Sequence, residues 1–246
     1  MTLELVLFVV LGSIFGSFGN VVVLRIKSGE SLGGRSMCRS CKKTLGVLDL
    51  IPIFSYAFLG GKCRKCSAQI SIQYPIVEIL SSMLFALAAL LFPSNLPLAC
   101  LTAALLYFLL LASTFDALYQ RLPDLFTYAI AVIAIVIDLL SGHLMDGVSG
   151  LLVSLLWFGG QWIISRGKAV GTGDLWLGMA LGLWLGLQKT IAMLLLSYSV
   201  GAIVVLVLLG IGKLSFSRER IAFGPFLAIG AVLSFLGAGQ MYFSIL

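Results

Sequence analysis

Long runs without a single charge dominate this chain. The first, residues 5–24, holds 20 residues without a charge, and a helix needs about 20 predominantly apolar residues to cross a bilayer. A second uncharged run, residues 79–115, is too long for one helix and is interrupted at residues 93–95, which predicts two spans joined by a tight hairpin. The chain is 60% hydrophobic and 11% charged, with a mean hydropathy of +1.11. These values exclude a water-soluble enzyme, a disordered chain and a secreted disulfide scaffold.

Five further apolar runs bring the predicted number of spans to eight. The first run has no basic segment before it and no small-residue cleavage site after it, so we interpret it as a retained helix and not as a signal peptide. We therefore expect an all-α polytopic membrane protein with about eight transmembrane helices. The five further spans are residues 125–141, 147–165, 174–187, 190–212 and 222–243.

The lysines and arginines predict how the chain is oriented. Fifteen of the 16 fall on one side of an eight-span topology, and only Lys189 falls on the other. Because basic loops stay in the cytoplasm, we expect both termini on the outer side of the membrane and the polar stretch of residues 25–74 on its cytoplasmic side. The charge follows alternate loops, not a basic stripe with aromatic residues, so we expect membrane lipid and no nucleic acid as a partner.

Four cysteines in residues 25–74 form two CxxC pairs separated by 21 residues, namely Cys38 with Cys41 and Cys63 with Cys66. Two such pairs supply the four thiolates of a closed, tetrahedral structural zinc site. Disulfides are the alternative, but cytoplasmic thiols stay reduced, and a redox-active CxxC would need no second copy. The sequence predicts a zinc module whose folding depends on the metal. Cys100 is expected only to pack.

Two acidic residues far apart in sequence are predicted to lie at the same depth, on the cytoplasmic edge of the membrane. Asp116 ends a long apolar span, and Asp174 follows Gly171, Thr172 and Gly173 at the start of a short one. Two carboxylates brought together share one proton and can activate a water molecule, and the glycines leave room for a substrate backbone. An aspartyl-type hydrolytic site is one hypothesis. Ion coupling or interfacial capping is the alternative.

The remaining intramembrane acids have less specific interpretations. Glu78 is predicted one turn inside the membrane, where it could contact substrate or pair with a loop cation. Asp138 and Asp146 fall near outer helix ends, which favours solvation or capping. Asp124 opens a span, where an N-cap role and a catalytic role are equally compatible with its position. The chain has a single histidine, His143, so a Ser-His-Asp triad, a Cys-His pair or an HExxH zinc site would each have to use it.

The motifs of this chain, taken together, resemble those of the type IV prepilin leader peptidases, which are membrane aspartic proteases with a GxGD signature. The resemblance runs through nearly the whole chain in the family's order. The matching segments are Gly16-Ser17-Phe18-x-Asn20-Val21-Val22 with Arg25, the two CxxC pairs flanking Ile51-Pro52-x-x-Ser55-Tyr56, Tyr74-Pro75-x-Val77-Glu78, Asp116 with Leu122-Pro123-Asp124, Gly171-Thr172-Gly173-Asp174, and Phe223-Gly224-Pro225.

The resemblance implies a specific activity and specific residues. Members of the family cleave the basic leader from prepilins and pseudopilins, the subunits of type IV pili and type II secretion systems. Many then methylate the new N-terminus with S-adenosylmethionine. Carried over by position, Asp116 and Asp174 are the catalytic aspartates. Gly171, Gly173 and Glu78 would contact substrate, and the zinc ligands are Cys38, Cys41, Cys63 and Cys66.

The chain departs from the family pattern at four positions. Trp176 stands where the family commonly has a lysine, so the aspartate pair lacks that cation. Ala222 replaces a proline, while Leu50 and Arg39 replace residues of the cytoplasmic domain that the family ties to methylation. No S-adenosylmethionine pocket is recognisable in the sequence.

We therefore expect three parts: a first transmembrane helix (1–24), a cytoplasmic zinc-binding domain (25–74) and a seven-helix membrane domain with the aspartic protease site (75–246). The alternative from another class is an ion-coupled transporter with a regulatory zinc module, which predicts carboxylates near the bilayer midplane and inverted repeats.

Overall fold

The computed structural model describes residues 2–168, 170–212 and 221–237. Within these ranges the chain is all-helical, and the only β-pairing consists of two isolated bridges in the cysteine-rich segment. The prediction of an all-α chain is confirmed. The helices are α1 (Thr2–Ser28), α2 (Phe54–Phe58), α3 (Gln73–Leu91), α4 (Leu96–Tyr119), α5 (Asp124–Ser141), α6 (Leu144–Ser165), α7 (Thr172–Gly210) and α8 (Gly224–Phe235).

Six of these helices, α1 and α3 to α7, are long and apolar enough to cross a membrane. The predicted hairpin between the second and third spans is confirmed, because α3 ends at Leu91 and α4 begins at Leu96. Helix α7 has 39 residues and covers two predicted spans. Helix α8 has 12 residues, and the end of the eighth predicted span lies outside the described residues, as do Lys213, Arg218 and Arg220 of the last basic loop.

A break at Gly186 divides α7 in two. Its φ of 73° and ψ of −179° are not helical, and this combination is open only to glycine. The sequence predicted the boundary between these two spans after residue 187, slightly later than the break. After the break, the backbone N–H of Leu187 donates a hydrogen bond to Oδ1 of Asp146 across 3.0 Å. Asp146 on α6 therefore caps the second half of α7, as an N-cap residue would within one helix.

The chain forms two compact units, Met1–Leu111 and Ala112–Leu246. In the first unit, α1 packs against α3 through two glycines one turn apart. A Cβ on Gly12 would lie 2.7 Å from the Ser82 Cα, and one on Gly16 would lie 2.7 Å from the Glu78 Cα. Only glycine allows backbones this close, which is the small-residue packing typical of membrane helices.

In the second unit, α6 and α7 also pack closely through glycines. A Cβ on Gly150 would overlap the Gly182 carbonyl oxygen, and one on Gly182 would lie 2.6 Å from the Ser154 hydroxyl. One turn along, the ring of Phe158 occupies the space beside Gly178 and is fully buried. Helix α8 joins this layer where Gly230 meets Ser197 of α7.

Candidate active site and metal site

Asp116 lies in the last turn of α4, where that helix enters the second unit. Its side chain is 6% exposed, and the neighbouring Phe115 ring packs on Tyr119 and Phe126. The backbone N–H of Gly224 donates a hydrogen bond to Oδ2 of Asp116 across 2.8 Å. Gly224 is the first residue of α8, so this donor is one of the N–H groups left free at a helix start.

Asp174 lies in the first turn of α7, three residues after the N-cap residue Gly171. Its carboxylate accepts a hydrogen bond from the backbone N–H of Gly171. The positive end of the helix dipole favours an anion at this position. The aspartate is partly exposed, and solvent can therefore reach it.

The two aspartates belong to the same unit and lie close enough for their charges to interact. Both lie at helix ends, Asp116 at the end of α4 and Asp174 at the start of α7. A buried carboxyl with one backbone donor beside a partly exposed carboxyl is an arrangement in which one group can hold a proton while the other is ionised. The arrangement can therefore both accept and donate a proton at one point.

The glycines of the GxGD segment have different surroundings. A Cβ on Gly173 would lie 2.8 Å from the Leu122 Cβ, so this glycine allows α7 to approach the loop after α4. Gly171 is exposed. Trp176, in the position of the family's lysine, is 49% exposed on α7.

The four cysteines predicted as metal ligands come together in the first unit. Their sulfur atoms all lie within 4.8 Å of one another, and the Cys38 and Cys66 Sγ atoms are 3.8 Å apart. A tetrahedral zinc tetrathiolate, with Zn–S bonds of about 2.3 Å, places its sulfurs about 3.8 Å apart. Four close cysteines could therefore hold a metal ion, and their spacing and soft sulfur donors fit zinc. Cys100 is separate and exposed.

Both CxxC pairs are built in the same way. The N–H of Cys38 bonds the Lys43 carbonyl and the N–H of Cys63 bonds the Ala68 carbonyl, each across 2.9 Å. Four residues after each first cysteine the chain takes a positive φ, at Lys42 and at Ser67. The two knuckles thus have the same turn conformation, which directs both sulfurs of a pair toward a common point.

Backbone N–H groups lower the pKa of two of the four thiols. The N–H groups of Cys66 and Lys65 lower the pKa of Cys63 to about 6, and those of Cys41 and Ser40 lower the pKa of Cys38. Thiolates, not thiols, bind metals. The knuckle geometry therefore favours the thiolate at the first cysteine of each pair, whereas burial and hydrogen bonds with the neighbouring thiols raise the pKa of Cys66 to about 11.

Glu78 has a positioning role within the first unit. It is 5% exposed, and its Oε2 accepts a hydrogen bond from the Ile53 N–H across 2.7 Å, with the Ser17 side chain as a further partner. The loop cation suggested by the sequence is therefore not its described partner. Glu78 ties the Pro52–Ile53 turn to the start of α3.

Asp138 differs from what its predicted position favoured. It is 5% exposed instead of solvated, and its buried Oδ2 has no hydrogen-bond partner among the described residues. This oxygen and the Leu183 carbonyl oxygen both approach the Cα of Gly147. The burial arises because α6 and α7 pack through glycines. A glycine spacing of three or four residues in both apolar runs was the signal that could have indicated it.

Two family models match consecutive parts of the chain. The model described as the bacterial peptidase A24 N-terminal domain matches residues 10–92. The model of the type IV leader peptidase family matches residues 103–206. The first range includes all four clustered cysteines, and the second includes Asp116 and Asp174.

Full-length relatives agree with these models. The type 4 prepilin-like proteins leader peptide-processing enzyme of Escherichia coli O78:H11 is 34% identical, over 90% of this chain and 89% of its own length. The prepilin leader peptidase/N-methyltransferase of Pectobacterium carotovorum is 33% identical, over 94% and 92%. The enzyme of that name from Aeromonas hydrophila is 36% identical, over 82% and 71%.

No solved structure matches this chain at a significant level. The two family models cover its two halves in order, and the relatives align with most of its length. The predicted peptidase class is confirmed, and the chain belongs to the type IV leader peptidase family of membrane proteases.

Proposed function

We propose that this protein removes the leader peptide from type IV prepilins and pseudopilins at the cytoplasmic face of the inner membrane, using Asp116 and Asp174. The observation that carries the proposal is the pairing of these carboxyl groups at helix ends of one unit. The names of the relatives, a prepilin-like leader peptide-processing enzyme and a prepilin leader peptidase, support the substrate class. Carboxylates at helix ends also favour a peptidase over an ion-coupled transporter, whose carboxylates belong near the bilayer midplane.

In the proposed reaction, the ionised carboxylate of the pair removes a proton from a water molecule. The water oxygen forms a bond to the scissile carbonyl carbon, while the protonated carboxyl donates its proton to the carbonyl oxygen. The C–N bond of the resulting tetrahedral intermediate then breaks as the leaving amine takes a proton from one carboxyl of the pair. One hydroxyl of the intermediate returns its proton to the other carboxylate, so that a carboxylic acid forms and the pair again holds one proton. The hydrogen bond from Gly224 to Asp116 holds one carboxyl in place throughout.

We further propose that Cys38, Cys41, Cys63 and Cys66 hold a structural zinc ion. The metal would supply folding free energy to a segment with little apolar core of its own. No chemical step involves this metal, because a closed tetrathiolate shell leaves no open position for substrate or water.

Methylation of the new N-terminus is the second activity that the relatives' names support. S-adenosylmethionine would supply the methyl group. A cavity of about 260 Å³ in the first unit is lined by apolar side chains with Ser55 and Arg64. Because that lining includes no carboxylate to bind ribose hydroxyls, the cavity does not fit this cofactor, and we derive no step through it.

The proposal is tested by mass spectrometry of a prepilin produced together with this protein. Loss of the leader with the wild type but not with Asp174→Asn supports the aspartate mechanism, and a further gain of one methylene group supports methylation. An intact leader on a cognate prepilin with the wild type contradicts the proposal. Leader loss without the mass gain leaves a peptidase alone.

A further inference from the structure

The cysteine-rich segment between α1 and α3 carries an apolar edge, which we define as Val47, Leu48, Phe54 and Phe58. Their exposed fractions are 80%, 64%, 63% and 87%. Leu48, Phe54 and Phe58 line the same cavity of about 260 Å³ and so form one continuous surface, which Val47 adjoins in the chain as the residue before Leu48. Large apolar side chains exposed together mark a contact site.

A strained turn fixes where this edge lies. Ile53 has φ 64° and ψ −53°, and the Phe54 N–H bonds the Pro52 carbonyl across 2.6 Å, which defines a γ-turn of the rare, strained kind. A β-branched residue with this φ persists only where its surroundings hold it. Here the hydrogen bond from Ile53 to Glu78 holds it.

Glu78 in turn gives the depth of the edge in the membrane. Helix α3 has 19 residues, which span about 28 Å at 1.5 Å per residue. The hydrocarbon core is about 30 Å thick, so nearly the whole of α3 is needed to cross it, and its first residue, Gln73, lies at the bilayer boundary.

Glu78 lies five residues beyond Gln73, which is about 7 Å further along the helix axis. Asn20 of α1 fixes the start of α3, because it donates to the Tyr74 carbonyl and accepts from the Gln73 side chain. Ile53, bonded to Glu78, is thus about one helical turn on the membrane side of the boundary. Phe54 follows directly, at the start of α2.

We propose that the apolar edge is a lipid-contact surface, with Phe54 and Phe58 inserted at the junction between headgroups and acyl chains. Segments that lie in this interface bury their apolar face roughly 5–10 Å deep, which matches the depth of Ile53. Exposed cations follow α2 in sequence at Lys62 and Lys65, and Arg64 between them pairs with Asp49 across 2.9 Å. The segment of residues 25–74 holds nine basic residues and two acidic ones, which complements anionic headgroups.

The metal module is therefore seated on the bilayer and is not a freely tumbling soluble domain. This inference rests on the first unit alone and is independent of the proposed peptidase mechanism.

The test uses the full-length protein in nanodiscs of phosphatidylcholine and phosphatidylglycerol in equal parts, prepared with or without bromine atoms on the upper acyl chain. Phe58→Trp places a fluorescent side chain on the edge, and Val47→Trp does so at a second position. Subtraction of the wild-type signal removes the four native tryptophans. Unchanged metal content shows that each variant module is folded.

Leu32→Trp is the matched control. Leu32 is also apolar, is 45% exposed and belongs to the same segment. Its carbonyl accepts a hydrogen bond from Arg25. Arg25 follows Asn20 by five residues on α1, on the side that leads out of the membrane, so Leu32 lies away from the bilayer.

We expect the added tryptophan at positions 58 and 47 to emit at shorter wavelength and to be quenched several-fold more by brominated lipid than the tryptophan at position 32. Equal, weak quenching at all three positions overturns the proposal. Short-wavelength emission without quenching at positions 58 and 47 also overturns it, because the edge is then covered by protein.

Discussion

Gly224 donates its backbone N–H to Oδ2 of Asp116 across 2.8 Å, joining residues that are 108 positions apart in sequence. The contact depends on the absence of a side chain, because a Cβ on Gly224 would lie 2.8 Å from that same oxygen. The start of α8 therefore acts as a fixed donor that positions one carboxyl of the proposed catalytic pair. The Gly-Pro pair at this point suits a helix start, since proline at the second position needs no hydrogen-bond partner there.

Gly224→Ala should impair cleavage without unfolding the protein. The added methyl group must displace the Asp116 carboxyl, and a misplacement of about 1 Å can cost about 100-fold in rate. The measurement is the leader-cleavage rate of purified protein. Gly201→Ala is the control, because its Cβ would lie at an ordinary 3.4 Å from Phe226. Wild-type cleavage by Gly224→Ala would show that the contact has no positioning role.

Gly186→Ala should lower the thermal midpoint by several degrees. The backbone there needs a φ of 73°, which costs a residue with a side chain about 1–3 kcal/mol, and the new Cβ would overlap the Asp146 carboxylate. Gly210→Ala is the matched change, because no atom lies within 4 Å of its Cβ position. If both variants melt like the wild type, the break in α7 is not a fixed feature.

Asp146→Ala should also destabilise the protein, for a separate reason. The Leu187 N–H loses its acceptor, and loss of a helix cap costs about 1 kcal/mol. For a chain of this size that is about 2–4 °C in thermal midpoint. A midpoint equal to that of the wild type would mean that water replaces the carboxylate without loss.

Asp138→Asn should stabilise the protein, in contrast to the two preceding substitutions. The buried Oδ2 of Asp138 has no partner in the described residues, and it lies beside Gly147, as the Leu183 carbonyl oxygen does. An amide nitrogen in place of this oxygen could donate a hydrogen bond to that carbonyl. A buried polar atom without a partner costs about 1–3 kcal/mol. We expect the thermal midpoint to rise, and a fall would show that the carboxylate itself is needed.

Serine in place of any clustered cysteine should remove the metal. The four sulfurs form one closed shell, so loss of Cys66 leaves three ligands and a weakened site. Metal analysis of purified protein should give one zinc per chain for the wild type and for Cys100→Ser, and far less for Cys66→Ser. Wild-type protein without zinc would contradict the assignment.

Much of this architecture follows from local sequence. Uncharged runs give the membrane-length helices, because a bilayer demands apolar length. The two CxxC pairs give the sulfur cluster, because each pair dictates its own turn. Asp116 and Asp174 interact within one unit, and their equal depth in the membrane stays a prediction.

Other features depend on contacts that no local pattern contains. The cap from Asp146 to Leu187 joins separate helices 41 residues apart in sequence. The burial of Asp138 follows from close packing of glycines on α6 and α7. The hydrogen bond between Glu78 and Ile53 likewise depends on how the loop folds back, whereas the sequence alone suggested substrate or a loop cation as the partner of Glu78.

The central claim is that Asp116 and Asp174 act together in peptide hydrolysis. The most direct measurement is the rate of leader cleavage by purified Asp116→Asn, Asp174→Asn and Asp138→Asn proteins, each confirmed to be folded by its thermal midpoint. We predict no detectable cleavage with either of the first two variants and wild-type cleavage with the third. Substantial cleavage by folded Asp116→Asn or Asp174→Asn would contradict the proposed mechanism.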